Sequence, residues 1–220
     1  GTYDFEGMLD LAGFLQLAQR LGLYAIVRPA PYICAEWDFG GLPAWLLAQD
    51  LHVRCSDPLF LGHVKDFYEA ILPMLAPLQI SRGGNIIAMQ IENEYGSYGD
   101  DKEYLTFIEQ TMRACGIEVL LFTSDNPNDS MLTGGSLPHI FKTLNFGSRA
   151  EEAFRFLQSR QPDMPLMCME FWVGWFDHFG EAHHTRDARS VAEEVKAMLN
   201  LGASFNFYMF YGGTNFGFTA

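Results

Sequence analysis

The sequence predicts an α/β fold in which helices cover a parallel sheet, and two observations carry this prediction. Short runs that are apolar on both faces recur along the chain, as in strands buried on both sides of a parallel sheet. Helical stretches separate these runs, which is the pattern of successive β-α-β units. The runs predict six strands, at 23–28, 86–92, 119–124, 140–146, 165–170 and 204–210.

The spacing of apolar residues and the positions of glycine predict three helices, one before the first strand and two between later strands. Apolar residues at helical intervals predict one helix over 9–21 and another over 104–113, each followed shortly by a glycine that turns the chain back. Ser190 and Glu193 have the spacing of a capping box, which predicts the start of a third helix. That helix is expected to end near Leu201.

Polar clusters follow most of the predicted strands, which places the candidate functional residues at one edge of the sheet. A TIM barrel and an open doubly wound sheet both carry their chemistry at the carboxyl ends of strands, so this position leaves both architectures open. No Gly-x-Gly-x-x-Gly motif or P-loop follows any strand, which argues against nucleotide binding. A complete barrel has eight strands. Six strands therefore indicate either two that escaped the pattern or a chain that covers part of a barrel.

Charge and composition exclude several classes of partner. The chain has 27 acidic and 14 basic residues and a net charge of -13, so it would repel nucleic acid. No apolar run reaches the ~18 residues of a membrane span. The four cysteines have neither a CxxC pair nor zinc-like spacing, and nothing demands a disulfide. The oligomeric state has no signature in the sequence.

Two glutamates, Glu94 and Glu170, each close an apolar stretch and precede aromatic residues and glycine. Cleavage of a glycosidic bond needs two carboxyl groups, one to protonate the leaving oxygen and one to stabilise or attack an oxocarbenium-like carbon. Glu92 competes with Glu94 for the first role, because side chains two residues apart on an extended strand point the same way. Either could instead satisfy loop amides. Glu170 follows five uncharged residues and should be paired or functional, since burying an unpaired charge is unfavourable.

Three segments of the chain resemble glycoside hydrolase family 35, the β-galactosidases. The first two are long and specific, and the similarity extends over essentially the whole chain. The resemblance implies a TIM barrel in which the six strands are strands three to eight. The first two strands would precede residue 1, and β-rich domains would follow residue 220. The segments are 28–37 with 40–43, then 90–96, and then 208–210 with 212–216.

The resemblance also implies roles for individual residues. By motif position, Glu94 is the acid/base and Glu170 the nucleophile of a retaining mechanism that requires no metal or organic cofactor. Position 172 departs from the acid β-galactosidase motif, because Trp172 stands where that motif has tyrosine. The departure puts the pocket and the aglycone preference in question. The residues implied to line the galactose site are Cys34 (through its backbone), Ala35, Glu36, Asn93, Trp175 and Tyr208.

The activity implied by the resemblance is removal of terminal β-linked galactose from glycoconjugates or oligosaccharides. The implied location is the lysosome or the outside of the cell, and in a secreted chain Asn128 would begin a glycosylation sequon. Two alternatives remain open. One is a galactoside-binding or interaction protein without catalysis on the same scaffold. The other is a TIM-barrel glycosidase with a different sugar preference.

Overall fold

Six parallel strands form one sheet in the computed structural model, which describes residues 2–211. Strands adjacent in sequence are adjacent in the sheet, and all five pairings are parallel. Each of the six predicted strands is confirmed, with ends displaced by at most two residues. The strands are β1 (Ala25–Val27), β2 (Ile86–Gln90), β3 (Leu120–Asp125), β4 (Phe141–Phe146), β5 (Met167–Trp172) and β6 (Ser204–Tyr208).

The strand order and the curvature of the sheet decide between the two architectures. A doubly wound sheet reverses its strand order at a switch point, whereas this order runs in one direction throughout. Arg28, directly after β1, pairs with Glu170 of β5. In a flat sheet these two strands would lie roughly 19 Å apart, beyond the reach of both side chains. The sheet therefore curls, and the chain forms an incomplete (β/α)8 barrel.

Helices connect the strands and lie against one face of the sheet, because right-handed crossovers in an unreversed order all fall on the same side. The helices predicted over 9–21 and 104–113 are confirmed as the first and third of the series. The helices are α1 (Leu11–Arg20), α2 (Pro58–Leu75), α3 (Lys102–Ala114), α4 (Asp129–Gly135), α5 (Ala150–Arg160) and α6 (Ala188–Asn200).

The predicted start of α6 is wrong, although its predicted end is right. The helix begins at Ala188, so Ser190 already lies within its first turn. The Ser190 hydroxyl donates to the Asp187 carbonyl at 2.9 Å instead of capping a free amide. Asp187, with extended backbone angles, occupies the N-cap position without a side-chain bond. The spacing of a capping box also occurs inside a first turn, which is why the pattern misplaced the N-cap by three residues, at Ser190 instead of Asp187.

Two clusters of buried side chains hold the helices to the sheet. The first joins α2 and α3 to β2 and β3, and its largest members are the fully buried Tyr68 and Tyr104. The second joins α5 and α6 to β4 and β5 and includes Phe154 and Phe171. The strands are thus fixed from the helix-covered side, which leaves their carboxyl ends available for polar side chains.

Within 2–211, no helix is both long and apolar enough to cross a bilayer.

Candidate active site

The carboxyl ends of the strands bring together residues that are far apart in sequence. Arg28 follows β1, the segment 92–94 follows β2, and Asn145 and Glu170 lie near the ends of β4 and β5. Parallel strands end at the same edge of the sheet, and the curl brings the two sides of that edge toward each other. The candidate site is built at this edge.

Glu170 has cationic and N–H donors around a buried carboxylate. Its exposed fraction is 7%, and one carboxylate oxygen pairs with the Arg28 guanidinium. The other oxygen accepts a hydrogen bond from the Trp172 indole N–H at 3.2 Å. The Arg28 charge compensates the loss of solvation that a buried carboxylate suffers. Glu170 is therefore placed as a carboxylate in a donor-rich pocket, with no acceptor bonded to it among the described residues.

Glu94 lies in different surroundings. It is half-buried, and its bonded donor is the uncharged Asn145 amide, which lies 2.9 Å from Oε1. Burial raises the pKa of Glu94, the Asn145 bond opposes that rise, and the negative charge of Glu170 adds to it. A carboxyl group with a raised pKa keeps its proton to higher pH, as a general acid must.

Asn145 links the two glutamates, and the sequence reading did not single it out. Its amide nitrogen donates to Glu94, while its Oδ1 accepts the backbone N–H of Glu170 at 3.1 Å. The Ser124 hydroxyl donates to the same Oδ1 at 2.5 Å, which fixes the orientation of the amide. The available signal was an asparagine inside an otherwise buried strand, since a buried polar side chain needs partners.

Glu92 differs from Glu94 both in its hydrogen-bond partners and in how deeply it is buried. It is 0% exposed and accepts two bonds from Arg54, at 3.0 and 2.8 Å, and a third from the Tyr104 hydroxyl at 2.9 Å. The Arg54 guanidinium stacks over the Tyr32 ring at 3.7 Å. Glu92 is thus a fully paired structural carboxylate, and only Glu94 of the two is available to a substrate.

The comparison of Glu92 with Glu94 assumed an extended strand, and the chain is bent at both residues instead. β2 ends at Gln90, and both Glu92 and Glu94 have left-handed backbone angles, with φ of 56° and 45°. Arg54 donates to the Asn93 carbonyl at 2.8 Å, and Glu92 accepts the Asn93 N–H at 2.6 Å. These bonds tie the bent segment to the buried ion pair, which explains why the chain departs from the strand here.

The loop after β1 brings a third carboxylate to the site. Cys34, Ala35 and Glu36 all have left-handed backbone angles, with φ of 61°, 56° and 48°. Glu36 accepts a hydrogen bond of 2.8 Å from the Tyr208 hydroxyl at the end of β6. Burial raises the pKa of Tyr208, and the bond to Glu36 adds to that rise, so the phenol remains a donor. This bond joins the two outer strands of the described sheet across its open side.

The remaining predicted binding residues differ in how close they lie to the carboxylates. Asn93 is buried, and its side-chain oxygen has no hydrogen-bond partner among the described residues. Trp175 is 54% exposed; its ring stacks on Phe176 and meets Trp172 edge-on at 5.8 Å. Trp175 therefore reaches the Glu170 region through Trp172. The motif at 212–216 lies outside the described residues.

The side chains that could bind a metal ion bear on the expectation that the mechanism requires no metal. Within 2–211, no group of three or more His, Cys, Asp or Glu is arranged to hold a metal ion. The four cysteines are free thiols, of which Cys168 is buried and the other three are half-buried.

A family model and several relatives of known sequence give consistent matches to the chain. The family model described as "Glycosyl hydrolases family 35" matches residues 1–220. The chain is 45% identical to mouse "Beta-galactosidase-1-like protein" and to "Beta-galactosidase" of Bos taurus, over 99% of its own length and 34% of theirs. It is also 45% identical to "Beta-galactosidase" of Xanthomonas manihotis, of which it covers 37%. The chain thus spans about a third of the length of these relatives.

Two solved structures resemble the fold at low sequence identity. A β-D-glucuronidase from Dictyoglomus thermophilum superposes with a TM-score of 0.56 at 16% identity, covering 94% of this chain and 37% of that one. The AHE enzyme from Alicyclobacillus herbarius gives 0.55 at 11% identity, covering 90% of this chain and 67% of that one. At such identities the likeness concerns the fold alone, and it agrees with an incomplete (β/α)8 barrel.

Proposed function

The chain belongs to glycosyl hydrolases family 35, and from this premise we propose that it carries the catalytic pair of a retaining glycosidase that removes terminal β-linked galactose. The observation that carries the proposal is the shared Asn145, which bonds the carboxyl group of Glu94 and the backbone of Glu170. Retention requires the two carboxyl groups to lie ~5–5.5 Å apart, so that one can attack while the other protonates.

In the first step Glu170 is the nucleophile. Its carboxylate attacks the anomeric carbon, and the bond to the leaving oxygen breaks as Glu94 transfers its proton to that oxygen. Arg28 and the Trp172 N–H orient the attacking carboxylate. The raised pKa of Glu94 supports its part, because the acid must hold its proton at the pH of the reaction.

In the second step Glu94 changes from acid to base. Departure of the leaving group leaves Glu94 ionised and Glu170 bonded to the sugar. Glu94 then removes a proton from water, whose oxygen attacks the anomeric carbon and releases Glu170 as a carboxylate. Two displacements at one carbon return the original β configuration. The loss of the Glu170 charge in the intermediate lowers the pKa of Glu94, which is what a base in this step needs.

The sugar would be held by polar groups around this pair. The unpartnered side-chain oxygen of Asn93 is a ready acceptor for a hydroxyl, because a buried acceptor without a partner is unfavourable. Glu36 and Tyr208 form a second polar group, whose hydrogen bond spans the open side of the sheet. Cys34, through its backbone, and Ala35 complete the proposed galactose contacts.

A second candidate function is galactoside binding without turnover. Trp172 favours it, because its indole N–H occupies a lone pair of Glu170 and cannot accept a hydrogen bond in return. A third candidate keeps the hydrolysis and changes the sugar, since Trp172 departs from the family motif beside the nucleophile.

The proposed cellular location is the lysosome or the outside of the cell, and it rests on family resemblance. In such a location Asn128 is a proposed glycosylation site. Its side-chain oxygen caps α4 by accepting the Met131 N–H at 2.9 Å, which leaves the amide nitrogen for a glycan.

Turnover of aryl glycosides tests the proposal. The chain is assayed with aryl β-galactoside, β-glucoside and β-mannoside at equal concentration between pH 4 and 7, alongside Glu170→Gln and the control Glu181→Gln on the exposed β5–α6 loop. Galactoside hydrolysis that Glu170→Gln abolishes and Glu181→Gln retains supports the proposal. Binding with no turnover selects the second candidate, and preference for another sugar selects the third. Undiminished turnover in Glu170→Gln would refute the assignment of the nucleophile.

A further inference from the structure

Asp125, the last residue of β3, is a buried carboxyl group that the proposed mechanism does not use. It is 1% exposed. Its Oδ1 accepts the backbone N–H of Gly96 at 2.8 Å, and its Oδ2 has no partner among the described residues. Burying a carboxyl group at this depth with one unpartnered oxygen is unfavourable for folding. The bond to the Gly96 amide is therefore the interaction that can offset part of this cost.

Asp125 and Gly96 lie in a slot that admits no larger residues. A Cβ on Gly96 would lie 1.8 Å from the Met131 carbonyl of α4. A Cβ on Gly135, at the end of the same helix, would lie 2.1 Å from Asp125 Oδ1. The backbone after Glu94 is therefore pressed between α4 and the Asp125 carboxyl group.

The backbone of Glu94 needs such support. With φ 45° and ψ 42° it is in the left-handed region, which a residue with a Cβ occupies only when its surroundings impose it. On the preceding side, Asn93 is held by Arg54 and Glu92. On the following side, the Gly96 N–H is held by Asp125. Glu94 is thus fixed from both flanks.

We propose that Asp125 is a positioning residue for Glu94, acting through the Gly96 amide to hold the acid/base in its left-handed conformation. The inference rests on the proposed function of Glu94, but the Gly96 bond can be tested without activity. Removing the bond leaves Glu94 chemically intact and frees its loop. Misplacement of a catalytic group by about 1 Å costs on the order of 10²-fold in rate.

The charge of Asp125 gives a second readout. Burial raises its pKa to about 7, against the Gly96 bond, and the charges of Glu94 and Glu92 add to the rise while Lys102 opposes it. Below that pH Asp125 is neutral and adds no charge beside Glu94. Above it, its negative charge favours the protonated form of Glu94 and extends activity toward higher pH. Arg28 and Arg54 act on Glu94 in the opposite sense.

Two substitutions separate the bond from the charge. Asp125→Asn and Asp125→Leu both remove the charge and have similar size, but only asparagine retains an acceptor for Gly96. Asp129→Asn, at an exposed position at the start of α4, is the control for loss of one negative charge. The chain with each substitution is measured for kcat and KM on an aryl β-galactoside across pH 4–8, and for exchange of the Gly96 amide by NMR.

The expected outcomes differ for each variant. In Asp125→Leu, kcat falls ~10–100-fold with KM within about twofold, and the Gly96 amide exchanges at least about tenfold faster. In Asp125→Asn, kcat below pH 6 stays within roughly threefold and Gly96 stays protected, while the fall in activity at high pH moves to lower pH. Asp129→Asn behaves as the parent chain.

The results distinguish this inference from the proposed function. If Asp125→Leu has parental kcat and parental Gly96 protection, the positioning role is wrong and the glycosidase proposal is unaffected. If the parent chain turns over no glycoside while Gly96 loses protection in Asp125→Leu alone, the glycosidase proposal fails and the bond stands. Should Asp125→Leu not fold, Asp125→Ala takes its place. A loss of kcat in Asp125→Asn equal to that in the apolar variant would also overturn the role.

Discussion

The candidate site has a nucleophile side, around the proposed nucleophile Glu170, and an acid side, around the proposed acid/base Glu94, and the same residue type has opposite surroundings on the two. On the nucleophile side, Glu170 contacts a cation, Arg28, and an indole N–H. On the acid side, Glu94 is bonded to an uncharged amide, and burial together with the charge of Glu170 raises its pKa. One carboxyl group thus contacts a cation and an N–H donor, while the other has a raised pKa and is favoured in its protonated form.

The difference shows that the surroundings of a carboxyl group, more than the residue type, decide which proposed role it suits. Both side chains are glutamates at strand ends, and Asn145 contacts both. What separates them is the origin of their donors. Arg28 arrives from the other side of the curled sheet, whereas Asn145 lies on a strand between them. The curl of the sheet is therefore what makes the two surroundings different, because a flat sheet would leave Glu170 without its cation.

The largest effect is expected from removing the proposed nucleophile, Glu170. Glu170→Ala should lower turnover of an aryl β-galactoside by at least roughly 10⁴-fold, because no covalent intermediate can form. Added azide should restore turnover, since the small anion enters the space left by the carboxylate. Attack from that face gives an α-galactosyl azide, which NMR of the product identifies. A rescued product of β configuration would contradict the assignment.

Removal of the acid on the other side should give the opposite stereochemistry. Glu94→Ala should lower turnover by ~10²–10⁴-fold for a galactoside with a poor leaving group, and much less for one that departs without a proton. Azide should now intercept the galactosyl-enzyme from the open face and give a β-galactosyl azide. Product NMR again decides, and an α product would exchange the two roles.

The pH profile of the parent chain tests the same side without a mutation. Because the pKa of Glu94 is raised, its protonated form persists above the ordinary range of a glutamic acid. The rate of the first step should therefore fall only as pH rises through that raised pKa, and it should do so in single-turnover measurements. Glu92→Gln is unsuitable as a control because it breaks the Arg54 pair, whereas Glu103→Gln on exposed α3 leaves the site intact.

Most of the fold was predictable from sequence because the pattern that encodes it is local. Apolar runs bounded by glycine identified all six strands, and helical spacing identified α1 and α3. The helix α2 is the longest helix among the described residues, but its sequence pattern did not reveal it, because apolar residues occur around much of its circumference. At the sequence level the architecture depended on family resemblance, since the strand order and the curl of the sheet, which exclude a doubly wound sheet, are visible only in the structure.

The candidate site was less predictable because it depends on contacts between distant segments. Glu94 and Glu170 were identified as residues, but spacing left Glu92 as an equal candidate. The distinction comes from Arg54, which lies 38 positions away in sequence and neutralises Glu92. Asn145 and Asp125 carried no motif at all. The predicted roles of the eight site residues and the extent of the family's other domains stay predictions.

The buried pair behind the acid side offers a test of stability instead of rate. Arg54→Leu leaves Glu92 as an uncompensated buried carboxylate, so the free energy of unfolding should fall by about 3–5 kcal/mol. Urea denaturation followed by circular dichroism measures the change. Arg82→Leu, which removes the cation of the exposed Arg82–Glu118 pair, should have a much smaller effect because solvent screens that pair. Equal losses in the two variants would show that Glu92 does not depend on Arg54.

The smallest expected effect concerns the N–H donor on the nucleophile side. Trp172→Phe keeps an aromatic ring beside Trp175 but removes the bond to Glu170, so kcat/KM should fall by roughly 2–13-fold, the worth of one hydrogen bond. Trp172→Tyr restores a donor and should recover part of that loss. If Trp172→Phe instead raises turnover, the indole bond restrains the nucleophile, and the site is better suited to holding a galactoside than to cleaving it.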